Sequence, residues 1–303
     1  MRIIDAHQHF WDLQANYLPW LCDEPPIRFR YGDYSALKRN YLPEDYRRDT
    51  ARFEVEGTVF VETEWNPDDP VGETEWVRDL AACAGLPSVM VAQAWLDRAD
   101  VEAVLASHGR HPLVRGVRHK PAAASNPGAV TTDNLGSMSD PAWRRGYALL
   151  ERHELSFDLQ VPWWQLAEAR KLADDFGGVP IILNHTGLPA DRSPEGLAGW
   201  RKGLEALAGA PNTFVKISGL GVPDMPWTAE SNRRIVLDAV EIFGTDRCMF
   251  ASNFPVDGLV ADFETIFSGY DSITAHFSES ERASMFSENA RRIYRFPQVR
   301  SAL

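Results

Sequence analysis

Short runs of apolar, often β-branched residues recur along this chain, each followed by a stretch with helical spacing of its apolar positions. Eight such runs predict strands over 2–7, 57–62, 89–94, 114–118, 156–160, 179–184, 213–218 and 247–252. Helical patterns fall between most of them, for example over 73–84, 141–153, 164–176, 197–209 and 232–243. The segment Ser278-Glu279-Ser280-Glu281 is a capping box that starts a last helix running through Met285, Phe286, Ala290 and Ile293. Alternation of strand and helix over this length predicts a single α/β domain spanning 1–303, a distorted (β/α)8 TIM barrel. A doubly wound open sheet is the alternative, but no glycine-rich phosphate fingerprint follows the first strand. Two connections are long, 10–50 after the first strand and 120–139 after the fourth, and loops of that size commonly bind or cover ligands.

Composition narrows the function classes. Of 303 residues, 44% are hydrophobic and 24% charged, and the formal net charge is −12. An acidic chain has no electrostatic footprint for a nucleic-acid backbone. No run of about 18 apolar residues offers a membrane span. Three scattered cysteines and the lack of an apolar signal core lead us to expect a reduced, cytoplasmic protein. The expected partner is a small-molecule substrate, with a homo-oligomer left open.

A barrel carries its chemistry at the C-terminal ends of the strands, and ionisable or polar groups stand at all eight of these ends. His7 and His9 lie two apart and share a strand face. With His185 they form a constellation able to hold one Zn²⁺ or, without metal, to polarise a carbonyl. Arg118 offers a planar fork of donors for a ligand oxygen. Of ten tryptophans, seven fall in strand-end loops: Trp11, Trp20, Trp65, Trp95, Trp163, Trp164 and Trp227. Indole faces suit the C–H faces of sugars and flat rings. Candidate substrate-binding residues are therefore Arg118, Trp11, Trp65, Trp95 and Trp163, with Lys216 at the end of the seventh strand.

Six segments carry a family resemblance: 5–11 (Asp-Ala-His-Gln-His-Phe-Trp), 116–119, 184–189 (Asn-His-Thr-Gly-Leu-Pro), 216–220, 250–256 and 289–294. Together they resemble the amidohydrolase superfamily, in the amidohydrolase 2 branch that holds L-fuconolactonase, L-rhamnonolactonase and 2-pyrone-4,6-dicarboxylate lactonase. The resemblance implies hydrolysis of a small carbohydrate-derived lactone, with His7, His9 and His185 polarising the carbonyl directly or through one divalent metal. It also implies an eighth-strand aspartate as base, where this chain has Asn253. An amide cannot accept that proton. Glu62, Asp257 or a metal-bound water are the replacements, and Glu62 is favoured for its rigid strand. Its alternative is an ion pair with Arg118 or Lys216. Metal-dependent decarboxylation or amide hydrolysis, and a barrel that binds a sugar or lactone without turnover, are the competing functions.

Overall fold

The computed structural model describes residues 2–131 and 134–297. Eight parallel strands form one sheet in sequence order: β1 (Arg2–Gln8), β2 (Glu54–Val61), β3 (Val89–Gln93), β4 (Val114–Arg118), β5 (Ser156–Leu159), β6 (Ile181–Leu183), β7 (Thr213–Ile217) and β8 (Cys248–Phe250). This is the (β/α)8 barrel that the periodicity predicts. β6 and β8 keep only three residues of the six expected: β6 begins after Val179 and Pro180 and ends before Asn184, and β8 begins after Arg247 and ends before Ala251 and Ser252.

Strands buried on both faces read as continuous apolar runs, as in Val59-Phe60-Val61 and Val89-Met90-Val91. Alternation sorts these side chains into two cores. Ile4, Ala6, Val59, Val61, Val91 and Ile182 pack together with Ile293 and Tyr294 from the last helix. Phe60, Met90, Val117, Phe157, Val215 and Phe250 pack outward against the helices. Good caps set the helix starts: Ser193 and Asp262 each accept a backbone N–H of the first turn, and the capping box at Ser278 is formed. The predicted helix 141–153 is two pieces, Pro141–Tyr147 and Leu149–Arg152.

The β8–β1 seam lies where the cleft begins. Asn253 N–H donates to His7 O at 2.7 Å, and His9 N–H donates to Phe254 O at 2.7 Å. Beneath them the buried Asp5 carboxylate accepts from Ser252 N (2.8 Å), Ser252 Oγ (2.5 Å) and Tyr46 Oη (2.8 Å). Burial raises the Asp5 pKa even so, so its four donors, His7 N–H included, are what make the charge tolerable there.

Candidate active site

His7, His9 and His185 meet at the floor of one cleft. The His7 ring centroid lies 4.9 Å from that of His9 and 4.7 Å from that of His185. Backbone strain builds this floor. Glu64, His185, Leu188 and Asn253 all line the cleft, and all hold left-handed backbone with φ of 58°, 54°, 57° and 55°. Non-glycine residues adopt that region only where the surroundings enforce it. Gly219 has φ +64°, and a Cβ there would stand 2.7 Å from the His185 ring, so only glycine lets that ring seat.

Hydrogen bonding sets the tautomers. His9 Nδ1 lies 2.7 Å from Val61 O, which can only accept, so Nδ1 carries the proton. Burial, then the Arg118 charge, push the His9 pKa down to about 3, so the ring is neutral. Its Nε2 lone pair therefore faces Asn253 Oδ1, another acceptor, at 3.3 Å. Asn253 cannot turn its amide round cheaply, because Nδ2 donates to Asp257 Oδ1 at 2.7 Å. His7 Nε2 is buried and has no hydrogen-bond partner among the described residues. His185 Nδ1 contacts Ser218 Oγ at 2.9 Å, and burial holds His7 and His185 well below the ordinary histidine pKa.

Adjacent unshared acceptors call for a hydrogen donor or a cation. His9 Nε2 and Asn253 Oδ1 fit a divalent metal by chemistry; His7 and His185 stand beside them, and His7 Nε2 joins only in the tautomer that gives up the contact of Nδ1 with Lys216 Nζ at 3.5 Å. Among the described residues no group of three or more His, Cys, Asp or Glu side chains is arranged to hold a metal ion. The Asn253 donor is a neutral amide, which binds a dication less strongly than a carboxylate.

The carboxylates are engaged. Glu62 pairs with Arg118 Nε, and its Oε2 accepts Glu64 N–H at 2.6 Å. Arg118 also donates to Glu62 O (2.6 Å) and Gln160 Oε1 (3.0 Å). The preference for Glu62 as base thus meets the ion pair that was its alternative. Asp257 is buried behind Asn253 and accepts from Asn253, Tyr31 Oη (2.9 Å) and Gly219 N–H (2.9 Å), with Arg30 Nη2 at 3.4 Å. Burial raises its pKa.

Other expected residues separate by depth. Trp11 lines the cleft, its Nε1 held by Arg39 O at 2.7 Å. Trp65 and Trp95 line an adjoining lobe with Glu62. Trp163 does not line either cavity; it packs over Gly199 and Gly203 of the helix Pro194–Ala208. Lys216 is wholly buried, bonded to Asp158 Oδ1 at 2.5 Å, and reaches only the underside of His7 (Nδ1, 3.5 Å). Neither Trp163 nor Lys216 therefore stands where a ligand in the cleft would touch it, which corrects their expected substrate contacts. Sequence reasoning placed Glu64, Lys120 and Gln160 at strand ends without giving them a role, and it passed over Phe29 and Tyr31, which lie in a loop without periodicity.

Comparison with known proteins agrees with this geometry. The family model described as "Amidohydrolase" matches residues 4–296. The chain belongs to the amidohydrolase family. This amidohydrolase is 43% identical over 295 residues to the uncharacterized protein y4mH of Sinorhizobium fredii, covering 97% of this chain and 98% of that one. It is 28% identical over 312 residues to an L-fucono-1,5-lactonase of Burkholderia multivorans, covering 99% and 98%. A crystal structure of an amidohydrolase from Burkholderia multivorans with bound zinc superposes with a TM-score of 0.80 at 25% identity, covering 98% of this chain and 100% of that one. The family and its lactonase relatives make this amidohydrolase a hydrolase.

Proposed function

We propose that the protein hydrolyses a neutral, carbohydrate-derived lactone. The observation that carries this reading is the charge pairing of the cleft. Its three lining cations each face a carboxylate: Arg118 faces Glu62, Lys120 faces Glu64 and Arg30 faces Asp257. None of these three lining cations is left unpaired to neutralise an anionic substrate. Trp11, Trp20 and Phe29 instead offer apolar ring faces, and the lactonase relatives support the same substrate class.

In this mechanism water adds to the ester carbonyl, the ring C–O bond breaks, and the open hydroxy acid forms. The carbonyl oxygen lies over His7, His9 and His185; a ring N–H of His7 or His185 donates to charge that develops on it, whereas the His9 Nε2 lone pair acts on it only through a cation. When bound, a divalent metal held by His9 and Asn253, with His7 beside them, would polarise the carbonyl and acidify water. Asp257 takes the water proton when the Asn253 side chain swings away, which breaks the Nδ2–Oδ1 bond at a cost of about 1.5–3 kcal/mol and leaves the histidines alone to hold any metal. Its raised pKa brings its proton affinity nearer to neutrality, which suits a base. Arg118, held rigid by Glu62, donates to a ring substituent.

The test is hydrolysis of five- and six-membered sugar lactones, followed by a pH indicator, with and without chelator. Turnover supports the reading; none across the panel with metal supplied sinks it. Asp257→Asn should lower kcat about 10²- to 10⁴-fold. Wild-type kcat/KM should fall as pH drops through the raised Asp257 pKa, above the usual 3.8, because the base must be ionised. A variant that keeps full kcat removes Asp257 from this role.

A further inference from the structure

The cleft has two lobes. The first, over the histidines, holds about 280 Å³, and the second holds about 450 Å³. Trp20, Glu64, Arg118 and Lys120 line both and form the waist between them. A small ligand commonly fills a pocket of about 300–1,000 Å³. The histidine lobe alone falls just below that range, and the second lobe is the larger.

Two unmet hydrogen-bonding atoms belong to residues of the second lobe. Trp65 Nε1, a donor, and Gln93 Oε1, an acceptor, are both buried without a hydrogen-bond partner. Each such orphan costs about 1–3 kcal/mol, and a small rotation of either side chain towards the lobe would let a ligand hydroxyl meet it. Three indoles from separate segments surround the lobe: Trp20 from the first loop, Trp65 after β2 and Trp95 after β3. Trp20 is fixed by Nε1 donating to Thr63 O at 2.8 Å, and Arg98 stacks 5.4 Å from the Trp95 ring. Arg118 pairs with Glu62 and Lys120 with Glu64, while Asp23 accepts from Tyr17 Oη at 2.8 Å and has no cation partner among the described residues, so the lobe disfavours an anionic ligand. An uncharged ring with apolar C–H faces and hydroxyls both to accept and to donate fits this chemistry.

We propose that the second lobe is a subsite for a second hydroxylated ring, so that the preferred substrate is a glycosylated sugar lactone, not a single-ring one. This rests on the lactonase reading above. The ring carrying the ester lies over the histidines, and the glycosidic link crosses the waist. The Lys120–Glu64 pair there is 39% and 40% exposed, so it can swing aside as the link passes.

The experiment compares glucono-1,5-lactone with cellobiono-1,5-lactone, the same lactone bearing a second glucose. The two-ring compound should show at least a tenfold higher kcat/KM. Gln93→Leu and Trp95→Ala should each reduce that ratio severalfold towards one. A ratio near one in the wild type, or one that neither variant changes, overturns the subsite. Tryptophan-fluorescence titration with glucose and cellobiose, both uncharged, reads binding without turnover. If neither lactone is hydrolysed, the lactonase reading fails by itself. Cellobiose binding at least tenfold tighter than glucose, and weakened by Trp95→Ala, still supports the subsite; equal binding overturns it.

Discussion

Two buried ion pairs stand at the ends of barrel strands, and they differ in what lies above them. Arg118–Glu62 forms part of the cleft wall, with its partners Gln160 and the Glu64 N–H at the cleft edge. Lys216–Asp158 is sealed below the floor: both side chains are 0% exposed, and Tyr294 Oη (2.9 Å) and Asn184 Nδ2 (2.9 Å) complete the coordination of Asp158. Desolvation makes either pair costly to assemble, and removing one partner is costlier where no water can reach the other. An ionisable residue at a strand end is thus a functional candidate only if the next layer above it is open.

The comparison breaks first at Lys216. Lys216→Met leaves Asp158 charged and sealed, and should lower the unfolding free energy by about 3–5 kcal/mol. Urea denaturation at neutral pH measures it; a loss below about 1 kcal/mol would erase the distinction between the pairs. Arg118→Met leaves Glu62 beside a wet cleft, so it should cost less stability, about 1–3 kcal/mol. Its larger effect should be on turnover, with kcat/KM down about 10²-fold through a lost donor. Equal stability losses in the two variants would contradict the contrast in depth.

Asp158→Asn sharpens the same point through pH. Burial already lowers the Lys216 pKa, and losing its counter-charge lowers it further. A lysine neutral when folded but protonated when unfolded makes stability rise with pH up to the unfolded value near 10.5. The deficit of this variant should therefore shrink between pH 7 and 10, and a deficit independent of pH would show that Lys216 keeps its proton.

The smallest effect belongs to Glu73, buried behind Glu62 with Oε1 accepting from Thr63 N at 2.8 Å. Burial, then the Glu62 charge, raise its pKa above 4.5. The folded protein holds this proton after the unfolded chain has released it, so its contribution falls as pH rises from about 4.5. Glu73→Gln keeps the bonds from Thr63 and should gain about 1 kcal/mol relative to wild type between pH 5 and 8, since a tenfold difference in proton affinity between folded and unfolded chains corresponds to about 1.4 kcal/mol. A constant difference over that range would show Glu73 ionised throughout.

Much of this was legible in the sequence. β-branched runs located all eight strands, because strands buried on both faces have few other ways to be written. The spacing of His7 and His9 brought them together with His185. Depth was not legible. Arg118 is the last residue of β4 and Lys216 the last but one of β7, and Tyr294, from the far end of the chain, completes the seal around the Lys216–Asp158 pair. Nor could sequence choose between Glu62 and Asp257. Arg30 and Tyr31 reach Asp257 from a loop with no periodicity to read.

The β8–β1 seam couples foldedness to chemistry. The amide hydrogens of His9 and Asn253 are the stitches that close the barrel, and the same residues carry the floor of the cleft. Any drift that re-aims these side chains through the backbone also loosens the last joint between staves. Divergence towards new substrates is thereby steered away from the floor and into the loop after β1, whose tryptophan, phenylalanine and arginine side chains can be exchanged without unpicking the barrel.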